Sequence, residues 1–237
     1  MVAPTGPSIL LVHGAWADGT TWQKVIPRLT KKGFNVTAVQ LPLKSLQDDV
    51  ATTKRAIEMQ KGDVVLVGHS YGGAIISAAG ANNPNVKGLV YVAAFAPDAG
   101  ETLQGLFDKF PPSKLVSAIS PDSEGFLYID RDKFRESFAH DVSAEEGTVM
   151  AAAQKPFAAS NFGQPLPAAA WKSVPSWYIV ATADNAIPPV LQRFMSKRMG
   201  ATVTELESSH VPYISRPEEV TRVIETAASK VAATRAA

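Results

Sequence analysis

The stretch that most constrains this chain is Gly68-His69-Ser70-Tyr71-Gly72-Gly73, set between a β-branched apolar run and a helix-like one. Its G-x-S-x-G core places a serine on a sharp strand-to-helix turn. Glycines flank the serine for a steric reason: the turn strains the serine backbone, and side chains at 68 and 72 would strike neighbouring elements. Such a turn lifts the Ser70 hydroxyl clear of a sheet at a helix N-terminus, where free N–H groups favour an anion. The context it requires is a strand, a sharp turn and a helix.

The rest of the sequence alternates the same two kinds of element. Short apolar runs at Ser8–Val12, Asn35–Leu41, Asp63–Val67, Val86–Phe95, Ser176–Ala181 and Ala201–Leu206 read as strands. Helix-like stretches lie between them at Thr21–Lys32, Leu46–Gln60, Ala74–Ala81, Val190–Met199 and Pro217–Val231. Strands apolar on both faces alternating with helices predict an α/β fold, a mostly parallel sheet flanked by helices. Its strands end at one edge, and ligands bind there. Residues 1–237 then form a single domain, interrupted by a long segment, 98–167, with no convincing strand and seven phenylalanines: Phe107, Phe110, Phe126, Phe134, Phe138, Phe157 and Phe162. That length exceeds a plain connection. It reads as a helical cap over the ligand edge, the alternative being an ordinary run of sheet-packing helices.

Composition narrows the function by exclusion. Twenty-three Lys and Arg against 22 Asp and Glu leave a net charge of +1, so no electrostatic footprint for nucleic acid or an anionic membrane exists. Cysteine is absent, which excludes disulfides, thiolate metal sites and a cysteine nucleophile. No apolar run approaches the roughly 18 residues of a spanning helix. Met1 to Pro7 shows no leader pattern, so the chain reads as cytosolic or as the mature form of an exported one.

A serine alcohol needs a base, and there are four histidines. His69 adjoins Ser70 and reads as structural, emerging from the far side of the turn. His140, among Arg131, Asp132, Arg135 and Asp141, is expected to face solvent. His13 ends the first strand and reads as a loop anchor. His210 follows the last strand, opening at the same edge as Ser70, and is the expected general base. Asp184 follows the fifth strand and is the natural orienter of that base, with Asp98, after the fourth strand, as the rival. The order Ser70, Asp184, His210 is that of a known triad arrangement. Attack on a carbonyl also needs donors for the developing oxyanion; the backbone N–H groups of Tyr71 and Ala15 are placed to serve.

With these residues together, the chain resembles the α/β-hydrolase fold superfamily, in particular the branch of plant methyl esterases, hydroxynitrile lyases and small bacterial esterases. The likeness runs through HGAWADGTTW (His13–Trp22), GHSYGG (Gly68–Gly73), YVAAFAPDAGE (Tyr91–Glu101), WKSVPSWYIVATADNAIPP (Trp171–Pro189) and SSHVPYISRPEEV (Ser208–Val220). It implies a triad of Ser70, Asp184 and His210, an oxyanion hole of Ala15 and Tyr71, no cofactor and no metal. Lyases of this branch carry Thr where Gly14 stands and Lys where Val211 stands, so the resemblance favours a serine esterase acting on small to medium, largely apolar esters. A same-fold lyase, a cofactor-free dioxygenase and a non-catalytic small-molecule receptor are the alternatives. Leu41-Pro42-Leu43-Lys44 departs from the Gly-rich loop common after the second strand in this branch.

Overall fold

The six apolar runs form one parallel sheet in the computed structural model, which describes the backbone of residues 6–236 and side chains as far as residue 233. Met1 to Thr5 and Ala237 lie outside the described residues, and with them the outer limits of the domain and most of the segment read for a leader. In chain order the main elements are β1 (Ser8–Val12), α1 (Ile26–Lys31), β2 (Val36–Val39), α2 (Leu46–Glu58), β3 (Val64–His69), α3 (Tyr71–Ala79) and β4 (Val86–Val92). After residues 93–175 come β8 (Ser176–Ala181), α7 (Pro189–Arg198), β9 (Thr202–Leu206), α8 (Pro212–Ser215) and α9 (Pro217–Ala236).

The strand order is β2-β1-β3-β4-β8-β9, and every neighbouring pair is parallel. Central strands β1 and β3 are buried at every residue, as their continuous apolar runs require. The edge strands β2 and β9 are mostly half-buried or exposed, so the expectation of strands covered on both faces holds only inside the sheet. From β1 the chain steps one way to β2 and the other way to β3. A crevice opens at the carboxyl ends where the order reverses, and there β1 delivers His13 and β3 delivers Ser70. The stretch Thr21–Lys32 is not one helix: a 3-10 turn covers Gly19–Trp22, and α1 starts only at Ile26, because Pro27 is accommodated in a first turn and not within a helix.

Residues 98–167 correct the reading that no strand lies there. Between α4 (Leu103–Phe107) and the helices α5 (Arg131–Phe138) and α6 (Ala144–Ala153) sit β5 (Ile119–Pro121) and β6 (Phe126–Ile129), joined by β7 (Phe157–Ala158) in an antiparallel sheet. The turn from β5 to β6 is closed by Asp122, whose Oδ1 accepts the N–H groups of Glu124 and Phe126, and by Gly125 at φ 80°. The sheet ties into the fold edge: Trp16 Nε1–H donates to Leu127 O at 2.8 Å, and Ala158 N–H donates to Leu43 O at 3.0 Å. Among the described residues, no helix is long and apolar enough to cross a membrane.

Candidate active site

Ser70 sits between β3 and α3 at φ 54° and ψ −123°, a conformation side-chain-bearing residues rarely adopt. The glycines around it are obligatory. A Cβ on Gly68 would lie 2.6 Å from Gly72 O, and one on Gly72 would lie 2.5 Å from Val12 O. The strained turn thus brings β1 and α3 into main-chain contact and projects Ser70 over the sheet edge.

The loops after β8 and β9 converge on it. Ser70 Oγ–H donates to His210 Nε2 at 2.8 Å, and His210 Nδ1–H donates to Asp184 Oδ2 at 2.7 Å. All three residues are buried. Asp184 is fixed by further donors: Ala186 and Ile187 N–H reach Oδ1 at 2.7 and 3.0 Å, and Gln192 Nε2–H reaches Oδ2 at 2.8 Å. Gln192 escaped the sequence reading; it is a polar residue in an apolar helix turn, beside Leu191 and ahead of Met195. Asp98, the rival orienter, instead pairs with Lys172 at 2.6 Å, which holds its carboxyl below the usual range.

The other histidines are sorted by their partners. His13 anchors a loop as expected: its Nε2 accepts Leu41 N–H at 3.0 Å and its Nδ1–H donates to Gly14 O at 2.9 Å. Burial drops its pKa to about 4, so it stays neutral. His69 packs directly against His210. Its Nε2–H donates to His210 O at 2.8 Å and its ring centroid is 4.7 Å from that of His210; burial first, then the neighbouring His210, hold it well below the ordinary value. His140 does not face solvent freely. It is half-buried, and its Nε2–H donates to Ala183 O at 2.9 Å. Arg131, Asp132 and Arg135 belong to the outer face of α5, whereas the chain past Phe138 turns inward and takes Asp141 with it.

A buried carboxylate supports the turn from below. Tyr71 O–H donates to Asp49 Oδ2 and Leu43 N–H to Asp49 Oδ1, both at 2.8 Å. Burial raises the Asp49 pKa to about 6 despite these donors. Leu43, at φ 63°, lies in the loop that lacks the expected glycines, and its carbonyl receives Ala158 of β7. Nothing in the sequence pattern singled out Asp49, which resembles any acid in the first turn of a helix.

Ser70 and His210 open into a cavity of about 20 Å³, lined also by Ala15, Trp16, Tyr71, Phe95, Leu103, Phe107, Leu115, Phe157, Phe162, Ala186 and Ile187. That is room for little more than a water molecule. Of the seven phenylalanines, Phe107, Phe157 and Phe162 form its wall, whereas Phe134 packs on Phe138 at 5.3 Å and Phe110 on Phe194 at 5.6 Å. Among the described residues no cluster of three or more His, Asp or Glu side chains is arranged to hold a metal ion.

Residues 9–223 match the profile of the alpha/beta hydrolase family. The pyrethroid hydrolase of Sphingobium wenxiniae is 30% identical over 249 residues, covering 93% of this chain and 87% of that protein. Methylesterase 2 of Arabidopsis thaliana is 28% identical, covering 88% and 91%. The crystal structure of a pyrethroid hydrolase from Sphingobium faniae superposes with a TM-score of 0.81 at 28% identity, covering 93% of this chain and 96% of that one.

Proposed function

Because the chain belongs to the alpha/beta hydrolase family, we propose that it hydrolyses carboxylic esters through an acyl-enzyme on Ser70. The observation that carries this reading is the unbroken hydrogen-bonded line of Ser70, His210 and Asp184, at 2.8 and 2.7 Å. As Ser70 Oγ bonds to the ester carbonyl carbon, His210 Nε2 takes its proton. Asp184, accepting Nδ1–H, fixes the tautomer that leaves Nε2 free and stabilises the imidazolium that forms. The carbonyl oxygen becomes an alkoxide facing the N–H groups of Ala15 and Tyr71, the latter one of those a helix start leaves without an intrahelical acceptor. Collapse breaks the bond to the alcohol oxygen, which leaves with the proton from His210. Water then loses a proton to His210 as its oxygen attacks the acyl carbon. The second collapse returns the proton to Ser70 and releases the acid.

The substrate is a small-molecule ester, uncharged near the reacting carbon. Apart from Ser70 and His210 the cavity wall offers aliphatic and aromatic side chains, and the polar atoms of Tyr71 and Trp16 are already bonded to Asp49 Oδ2 and Leu127 O, so a buried carboxylate or phosphate there would lose its hydration without a countercharge. Its size favours small acyl groups, larger ones requiring the phenylalanine wall to move. Residues 98–167 act as the cap that supplies this wall. The names pyrethroid hydrolase and Methylesterase 2, carried by relatives, accord with ester cleavage. Hydrolysis is favoured over lyase chemistry because a Cβ on Gly14 would lie 2.6 Å from Ser70 Cβ, and Val211 brings no charge to hold a departing anion.

Ser70→Ala tests the reading. Turnover of p-nitrophenyl acetate should fall by on the order of 10⁴-fold or more, with the thermal midpoint retained, and a fluorophosphonate should label the wild type at Ser70 but not the variant. Wild-type turnover by Ser70→Ala would remove the serine from the mechanism.

A further inference from the structure

The loops carrying Asp184 and His210 leave neighbouring strands, β8 and β9, yet residues in the turn just after α5, more than forty positions earlier, hold both. His140 Nε2–H donates to Ala183 O at 2.9 Å, and Asp141 Oδ2 accepts Ser209 N–H at 2.8 Å. Each bond grips the main chain one residue before a triad member: Ala183 precedes Asp184, and Ser209 precedes His210. Two adjoining contacts act on the same loops. Asn185 Nδ2–H donates to Glu136 O at 2.9 Å, and the Phe138 ring stands edge-on to His210 with centroids 4.8 Å apart.

Resting on the esterase reading above, we propose that His140 and Asp141 are positioning residues that set the aim of His210 and Asp184, so that a productive relay forms only when this segment is docked. The loops are linked to each other at their bases, through Thr182 N–H to Leu206 O at 2.9 Å and Ala183 N–H to Ser208 O at 3.1 Å. Beyond those bonds the main chain is irregular; His69 Nε2–H holds it at His210 O, the donors from Ala186, Ile187 and Gln192 hold Asp184, and the His140–Asp141 pair adds the grip from the 98–167 side. A misplacement of about 1 Å in a catalytic group costs about 100-fold in rate, so modest loosening here reaches the chemistry. As a merely structural tie Asp141 is poor, because its Oδ1 is buried with no hydrogen-bond partner among the described residues, which costs stability. The carboxylate is better accounted for by what Oδ2 holds in place.

Three variants test this with p-nitrophenyl acetate. Asp141→Ala removes the acceptor, Asp141→Asn keeps an oxygen at that position, and His140→Phe removes the donor to Ala183 but keeps a ring. Asp141→Ala and His140→Phe should lower kcat by on the order of 10- to 100-fold with KM within about twofold. The rate of fluorophosphonate labelling at Ser70 should fall in step, and Asp141→Asn should recover most of kcat. Folded Asp141→Ala with wild-type kcat, a loss confined to KM, or no recovery in Asp141→Asn overturns the proposal. If Asp141→Ala does not fold, His140→Phe decides alone, since wild-type kcat there overturns it equally. The two readings fail separately: an active Ser70→Ala sinks the esterase reading, whereas an inactive Ser70→Ala beside a fully active Asp141→Ala sinks only the positioning role.

Discussion

Gly14 stands where even a methyl group collides: a Cβ would lie 2.6 Å from Ser70 Cβ and 3.1 Å from His69 Nδ1. Gly14→Ala should therefore push the β1 loop, with the Ala15 N–H, away from Ser70. The expected loss in kcat for p-nitrophenyl acetate is on the order of 100-fold, the cost of one oxyanion donor; unchanged kcat would show that Ala15 is not such a donor. Candidate residues of this kind are legible because a glycine-flanked turn or a strand end marks them locally. Ser70 was marked by its glycines, and His210 and Asp184 by following strands that end at the same edge. The sequence misleads at His140, shows Asp141 only as part of a charged, solvent-facing stretch, and leaves Gln192 and Asp49 unmarked, for one physical reason. Each works through a partner that only the fold brings against it, and no motif in its own stretch of sequence marks the contact.

At the scale of elements, the central strands were readable from apolar runs alone, because a strand buried on both faces leaves little room for polar residues. The small sheet of β5, β6 and β7 was not. Its strands are three, four and two residues long, and Pro121 and Gly125 punctuate them. Alternation cannot be recognised over so few positions. The segment nonetheless shapes the site, since α4 and the chain after β7 place Phe107 and Phe162 in the cavity wall. Phe107→Ala should open space beside Ser70 and move the preference for p-nitrophenyl esters from acetate toward hexanoate, read as the ratio of their kcat/KM values. An unchanged ratio would mean that the acyl group lies elsewhere.

Across the whole molecule, three buried titratable groups set how the fold responds to acid. His13, lowered from 6.5 to about 4, stays neutral when folded, so its contribution is present above pH 6.5 and is lost as pH falls toward 4; the gap corresponds to about 3 kcal/mol. Asp49, raised from 3.8 to about 6, works in the opposite sense: stability is greatest below pH 4 and is lost as pH rises through 6, again by about 3 kcal/mol. These two nearly cancel, and His69, held neutral by burial like His13, tips the balance. Urea midpoints should therefore fall between pH 7 and pH 4.5, and fall more steeply in Asp49→Asn, which lacks the offsetting protonation. A midpoint rising on acidification would contradict this assignment. The hydrogen bonds that tie His140, as donor, and Asp141, as acceptor, to the β8 and β9 loops have a practical consequence for redesign. Transplanting the 98–167 region from a relative to change substrate range exchanges more than a pocket lining. A donor segment lacking equivalents at those two positions would yield a chimera that binds its new ester and turns it over slowly.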